Sequence, residues 1–381
     1  MKLRIGNETI TVLLEKKKQI VDLPKNTKWV HLNADSIGFY ACQYDKTLME
    51  SLTHALRSGD KNLNISDKIC LVRDTLAIAQ AGNPQATENL LNLIASFENE
   101  TSYSIWFTIL DAAQAVFHII NDDDVLAQQF KALMRKVLLP VFKKIDWQGD
   151  KDEDEETQAL LRPLILSAMS KYGYQPVIDE ALKRFKAFIN LNDEEKKTDG
   201  QKAYLAPALR NAVYSIAIKY GGKEEFDTLQ KYYLSTTDSS EQGRALRALA
   251  LTTNPDIIPK LLEWIKDSDK IRNHDRVLPF SIVAQGIAGR EMAWQMLQKT
   301  FDQWYSMFEG GFLGRDLVKI PSSFVSFEKA DEIEKFYKTL DYPACKRSMD
   351  QCVETIRKNA NWKKQTLGVI SKWANSQSGK D

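Results

Sequence analysis

Between Trp29 and Tyr44 the chain changes period, and that change limits what it can fold into. Upstream, apolar residues recur in steps of two. From Asp45 onward they recur in steps of three and four, almost to the end. A side-chain repeat of two belongs to a strand and one near 3.6 to a helix. The sequence therefore predicts a short β-rich head, residues 1–44, and a helical body, residues 45–381. In WVHLNADSIGFYACQY, Val30 and Leu32 alternate with Trp29, His31 and Asn33. Tyr40, Cys42 and Tyr44 alternate with Phe39, Ala41 and Gln43, and Ala34-Asp35-Ser36 between them reads as a hairpin turn. Further strands are predicted at Leu3–Ile5, Thr9–Leu14 and Gln19–Leu23, broken by Gly6-Asn7, Lys16–Lys18 and Pro24–Asn26.

The helical body shows repeated apolar stripes: Leu90, Ile94 and Phe97; Ile178, Leu182, Phe185 and Ile189; Ile257, Leu261 and Ile265; Ile333, Phe336, Tyr337 and Leu340. Ser66 or Asp67 is placed to cap a helix running to Gly82. Pro84 and Pro176 sit where first-turn prolines are tolerated, and Gly173 and Gly221 stand just past helix ends. Roughly fifteen helices with short connections result, with polar surface loops expected at 146–156, 190–201 and 234–242. No residue-level repeat stands out. Short, paired helices of uneven length fit a mostly α fold, a HEAT- or armadillo-like α-α superhelix preceded by a small partial β-sandwich.

Lys and Arg total 52 against 51 for Asp and Glu, so no net field draws nucleic acid or an anionic membrane. No apolar run approaches the roughly 20 residues of a membrane span, and MKLRIGNETI is not a signal peptide. Cys42, Cys70, Cys345 and Cys352 form no C-x-x-C pair, which favours reduced thiols and a cytoplasmic location. Asn7, Asn64 and Asn99 each open an N-x-[ST] triplet and favour a secretory setting only weakly.

Catalytic motifs are missing. His31, His54, His118 and His274 are never paired at i+4, and no P-loop, G-x-S-x-G or complete G-x-G-x-x-G occurs. The acids of Asp150–Glu156 read as a solvated loop, because Glu155 fills the slot where a calcium loop needs glycine. Asp122-Asp123-Asp124 reads as a helix start, Gly310-Gly311 as a turn, and His118 as a packed or surface histidine. Cys345 and Cys352, seven apart, read as buried small hydrophobes, and the eight tryptophans as core anchors.

The pattern W-V-x-L-N-x-x-x-x-G-F-Y-x-x-x-Y at 29–44 resembles the strand pair that closes the small β domain of M1-family zinc aminopeptidases, in the puromycin-sensitive version, with Ala41 where that family has Arg. The chain is similar to that family's C-terminal helical domain at further points. These are AWQMLQKTFDQWYSMF (293–308) followed by Glu309-Gly310-Gly311-Phe312-Leu313; Lys270-Ile271-Arg272 with His274-Asp275; and Cys352-Val353-Glu354-Thr355-Ile356 with Asn359 and Trp362. The resemblance implies that Met1 falls inside a β domain, through an artificial start or a truncated gene product. It implies a parent that removes N-terminal residues from peptides with one Zn²⁺, held through H-E-x-x-H and a distant Glu, and a G-x-M-x-N loop for the substrate amine. Neither string exists here, so this chain alone is expected to be inactive and to carry no cofactor.

Its implied partners are the catalytic domain of the same polypeptide and peptide substrates, over which it would form a cap, a chamber wall and a size filter. Candidate peptide-binding residues are Arg162, Arg210 with Tyr214, and Arg315. An arginine inside an apolar stripe needs a partner, so each is either a structural ion pair or a ligand clamp. A stand-alone helical-repeat adaptor, or a paralogue that lost its catalytic part, would share this fold.

Overall fold

Leu3 and Ile5 alternate with half-buried Lys2 and Arg4 and turn one face of a short strand inward. In the computed structural model, which describes residues 1–147, 156–189, 191, 205–267, 269–308 and 312–378, that strand is β1 (Lys2–Ile5). It is central in an antiparallel sheet of order β2-β1-β3, with β2 Glu8–Thr11 and β3 His31–Leu32. Leu3 faces Ile10 on one side and Leu32 on the other. Leu3, Ile5 and Val30 form a small core, with Met1, Ile10, Val12, Val21 and Leu32 packed against it.

The expected hairpin is not formed. Only His31 and Leu32 are strand, and they pair with β1 rather than with residues 40–44. Asn33 explains the first half of the difference. It takes a left-handed φ of 62°, its Oδ1 accepts from the Gly38 amide at 2.6 Å, and its Nδ2 donates to the Gly38 carbonyl at 2.9 Å. Ala34–Ser36 is thereby wound into a 3₁₀ turn. Tyr44 explains the second half: its hydroxyl accepts from the Leu32 amide at 2.8 Å, occupying the edge a second strand would have used. Gln19–Leu23 is also not a strand, since among the described residues no strand lies beside it.

Asp67 joins this head to the helices that follow. Its buried carboxylate accepts from Arg4 Nε and, at 2.7 Å, from the Asp35 amide. It also completes a capping box with Asn64, the true N-cap of α2 (Ile65–Gln80), in place of Ser66 or Asp67. Before it, α1 (Lys46–Arg57) is capped by Asp45. After it, α3 (Pro84–Ile94) starts on a first-turn proline, and α5 (Asp124–Ile145) is capped by Asp123. Between them, α4 (Tyr103–Ile120) is long and apolar enough, by length and composition, to cross a membrane, which the sequence reading overlooked. Ile105, Trp106, Ile109, Val116 and Ile119 are fully buried, so its apolar stripe is spent on the protein core.

The chain forms two compact units, Met1–Ala168 with Asn361–Asp381, and Met169–Ala360. It crosses between them within α6 (Arg162–Lys171) and within α16 (Lys346–Ser378). In the first unit the end of α16 returns to the early helices. Trp362 Nε1 donates to Thr87 Oγ1 at 3.1 Å, and Trp373 Nε1 to Asn92 Oδ1 at 2.8 Å. The second unit contains α7 (Gln175–Ile189), α8 (Arg210–Tyr220), α9 (Lys223–Ser235), α10 (Ser239–Leu249), α11 (Ile258–Asp267), α12 (Val277–Gln285), α13 (Ile287–Ser306), α14 (Leu313–Leu317) and α15 (Phe327–Tyr337). Here α8, α10 and α12 lie side by side, while α7 packs on α8, α9 on α10 and α13 on α12. The fold is mostly α, preceded by a small β part.

Seven of the eight tryptophans are buried, and Trp264 meets Tyr233 edge-on at 5.4 Å, as their stripe positions predict. The four cysteines are buried and free. The acidic run at 150–155 and the Glu309-Gly310-Gly311 turn lie outside the described residues.

Candidate functional site

The polar connection expected at 234–242 shrinks to residues 236–238, because Asp238 caps α10 early. Its Oδ1 accepts from the Ser240 amide at 2.8 Å and the Glu241 amide at 3.3 Å. Glu241, three residues past the cap, therefore lands on the inner face of the helix and is 2% exposed. Its Oε1 accepts from Arg210 Nη1 at 3.0 Å and from Arg244 Nη1. Its Oε2 accepts from the hydroxyls of Tyr214 at 2.9 Å and Tyr232 at 3.3 Å. The Arg210 guanidinium also lies over the Phe188 ring, 4.7 Å from its centroid. Tyr214 is fully buried and meets Phe185 edge-on at 6.0 Å.

Burial, then the Glu241 charge, pushes the Tyr214 hydroxyl far above the ordinary phenol range and Tyr232 up to about 12. Both phenols stay protonated and keep donating at any physiological pH. Two arginines and two phenols thus saturate one buried carboxylate, an arrangement that locks α8, α9 and α10 together.

Of the four residues singled out from sequence, this node brings Arg210 and Tyr214 together. Arg162 belongs to the first unit and is 5% exposed; its Nε donates to the carbonyls of Ile145 and Asp146 at 3.0 Å each, satisfying the C-terminal end of α5. Arg315 is exposed on α14, with its guanidinium 5.4 Å from the centroid of the exposed Phe312 ring. Glu241, Arg244, Tyr232 and Phe188 were not singled out. Asp238-Ser-Ser-Glu241 has the spacing of a helix start, which hides the inward turn of the glutamate; Arg244 three residues on was the available clue.

Burial pushes the Cys352 thiol up to about 12 and raises Cys345 as well, so neither is poised as a nucleophile. The described residues bring together no group of three or more His, Cys, Asp or Glu side chains able to hold a metal ion. The zinc implied by the sequence resemblance therefore has no fitting ligand set among them.

The motif-bearing segments are core elements. Ala293, Trp294, Leu297, Phe301 and Trp304 form the buried face of α13, and Cys352, Val353, Ile356 and Trp362 that of α16. Residues 29–358 match the family described as ERAP1-like C-terminal domain. The chain belongs to that family. Among its relatives, aminopeptidase M1-C of Oryza sativa subsp. japonica is 33% identical over 341 residues, covering 88% of this chain and 37% of the relative. Aminopeptidase M1 of Arabidopsis thaliana is 29% identical over 342 residues, with 88% and 37% covered. Glutamyl aminopeptidase of Rattus norvegicus is 24% identical over 380 residues, with 97% and 38% covered. This ERAP1-like domain thus spans a little over a third of the length of the relatives it matches.

Proposed function

We propose that this domain is the C-terminal part of an M1 aminopeptidase of the puromycin-sensitive kind, acting as cap and chamber wall over a zinc active site carried elsewhere. The observation that carries this reading is the family match over residues 29–358 together with relatives named as aminopeptidases. The row of α8, α10 and α12, backed by α7, α9 and α13, supports a stacked α-hairpin wall of HEAT-like type. The Glu241 node stiffens that wall, and Arg162 caps α5 within the first unit. The exposed pair Arg315 and Phe312 offers a cationic and aromatic face to a peptide, whereas Arg210 and Tyr214 already spend donors on Glu241. Removal of N-terminal residues, size selection and a cytoplasmic setting belong to the same proposal.

The test is complementation in trans. The chain is mixed with a recombinant zinc-bearing catalytic part of an M1 relative, and turnover is measured on an aminoacyl fluorogenic amide and on peptides of graded length. The chain alone gives no turnover, and the mixture gains a length dependence absent from the catalytic part alone. Turnover by the chain alone that survives further purification, or a length profile unchanged by adding it, overturns the proposal. In the second case the adaptor reading takes its place.

A further inference from the structure

We propose that a basic recess in the second unit binds the dianion of a phosphate monoester. The recess lies between the start of α10, the 269–276 loop and the start of α12, and has a volume of about 190 Å³. Ligand pockets for drug-sized molecules run from roughly 300 to 1,000 Å³, so it admits a small charged group rather than a polypeptide segment. Four of its lining residues are basic (Arg247, Lys270, Arg272 and His274), and Asp275 is its one lining carboxylate.

The arginines carry the inference. Elsewhere in this unit Arg210, Arg244, Arg276 and Arg357 each donate to a carboxylate or carbonyl oxygen. Among the described residues Arg247 and Arg272 have no hydrogen-bond or ion-pair partner, and both line the recess. Arg247 folds back over Gly243, one turn earlier: a Cβ built on Gly243 would lie 3.7 Å from its Nη2. A Cβ there would make ordinary van der Waals contact, so the guanidinium lies directly against the helix backbone at Gly243.

The opposite wall is fixed in place. Tyr233 donates its hydroxyl to the Lys270 carbonyl at 3.1 Å and packs edge-on against Trp264. Ile271 is buried beneath the loop, and Arg276 Nε donates to the Ile271 carbonyl at 3.1 Å. Lys270, Arg272 and His274 thus project from a backbone pinned on both sides, so binding has to order their exposed side chains but not the loop itself. Lys270 Nζ lies 3.9 Å from Asp269 and His274 Nε2 3.6 Å from Asp275, so among the described residues the two arginines are the lining cations without a carboxylate partner.

Two forked guanidiniums with a lysine match the several oxygens and double charge of a phosphate better than a single-charged group. Leu246, Leu278 and Pro279 add an apolar side to the recess, which favours a monoester over the free ion. This inference is independent of the aminopeptidase reading.

The test is isothermal titration of the full chain at pH 8 and constant ionic strength with phenyl phosphate, inorganic phosphate and phenyl sulfate. Phenyl phosphate binds with one site per chain, more tightly than either other anion. The double variant Arg247→Gln/Arg272→Gln weakens it at least tenfold. Lys231→Gln/Lys335→Gln removes the same charge from exposed positions outside the recess and leaves it unchanged. Circular dichroism confirms that both variants are folded. Absence of saturable binding, equal binding of phenyl sulfate or inorganic phosphate, or equal weakening by the two double variants overturns the inference.

Discussion

Replacing Glu241 by alanine removes the acceptor that four side chains share. Arg210 and Arg244 lose their carboxylate, and the hydroxyl of fully buried Tyr214 loses its partner. Breaking a buried ion pair by deleting one member costs about 3–5 kcal/mol. Orphaning a buried donor costs about 1–3 kcal/mol. These terms share one acceptor and are not additive, so about 4 kcal/mol is the working value for Glu241→Ala. Glu241→Gln keeps the shape: its carbonyl can accept from the arginines while its amide donates to the tyrosine oxygens. Losing only the charge, it costs about 2 kcal/mol. Tyr214→Phe leaves three donors on the carboxylate and costs about 1 kcal/mol.

Two compact units need not unfold as one, so a single melting temperature is a poor readout. Amide hydrogen exchange over α8, α9 and α10 reports the local opening energy directly. The expected order is Glu241→Ala, then Glu241→Gln, then Tyr214→Phe. A Glu241→Ala loss below about 1 kcal/mol, or a Tyr214→Phe loss as large, would refute the shared-acceptor argument.

His31 is fully buried with Nδ1 3.5 Å from Asp67 Oδ1, and among the described residues neither ring nitrogen has a hydrogen-bond partner. Burial, opposed by the Asp67 and Asp35 charges and aided by Arg4, holds its folded pKa below the ordinary value of 6.5. The unfolded chain thus binds more protons just below pH 6.5, and stability falls as pH drops from 6.5 toward the folded pKa, by up to about 1.4 kcal/mol per pH unit. His31→Phe should flatten the pH dependence of the opening energy of α2, read by amide exchange, over that window; an unchanged slope would assign it elsewhere. Lys171 is largely enclosed near Lys219, and burial followed by that like charge brings its pKa down to about 8. Between pH 8 and its unfolded value the folded state holds fewer protons, so stability rises with pH there. Lys171→Met should stabilise the second unit at pH 7 by about 1 kcal/mol and lose that rise, measured as opening energies from amide exchange over α6 and α7 at pH 7 and 9; a lower opening energy at pH 7 would contradict this. Trp362→Ala opens a cavity in the first unit and orphans one bond to Thr87, at a cost of about 4 kcal/mol. Exchange in α3 should rise with it, and unaltered protection there would show that α16 does not hold that helix.

Much of the fold was legible along the chain because helices announce themselves locally. An amphipathic stripe, a capping aspartate and a first-turn proline are read within a few residues, as at Asp123 and Pro84. Strands do not share that property, since a strand exists only where another supplies its hydrogen bonds. Gln19–Leu23 had the alternation and lacked the neighbour, while residues 40–44 lost their edge to the Tyr44 hydroxyl.

The candidate site divides in the same way. The sequence determined a mostly α chain with a β-rich head, buried tryptophans and thiols, and inward arginines in need of acceptors. Only the tertiary structure decided which acceptors they found: the end of α5 for Arg162 and Glu241 for Arg210. It alone brought Arg247 and Arg272 together over one recess, without a partner among the described residues. Periodicity fixes which side of a helix faces inward, but a partner thirty residues away is set by how helices pack, and no spacing along one helix encodes it.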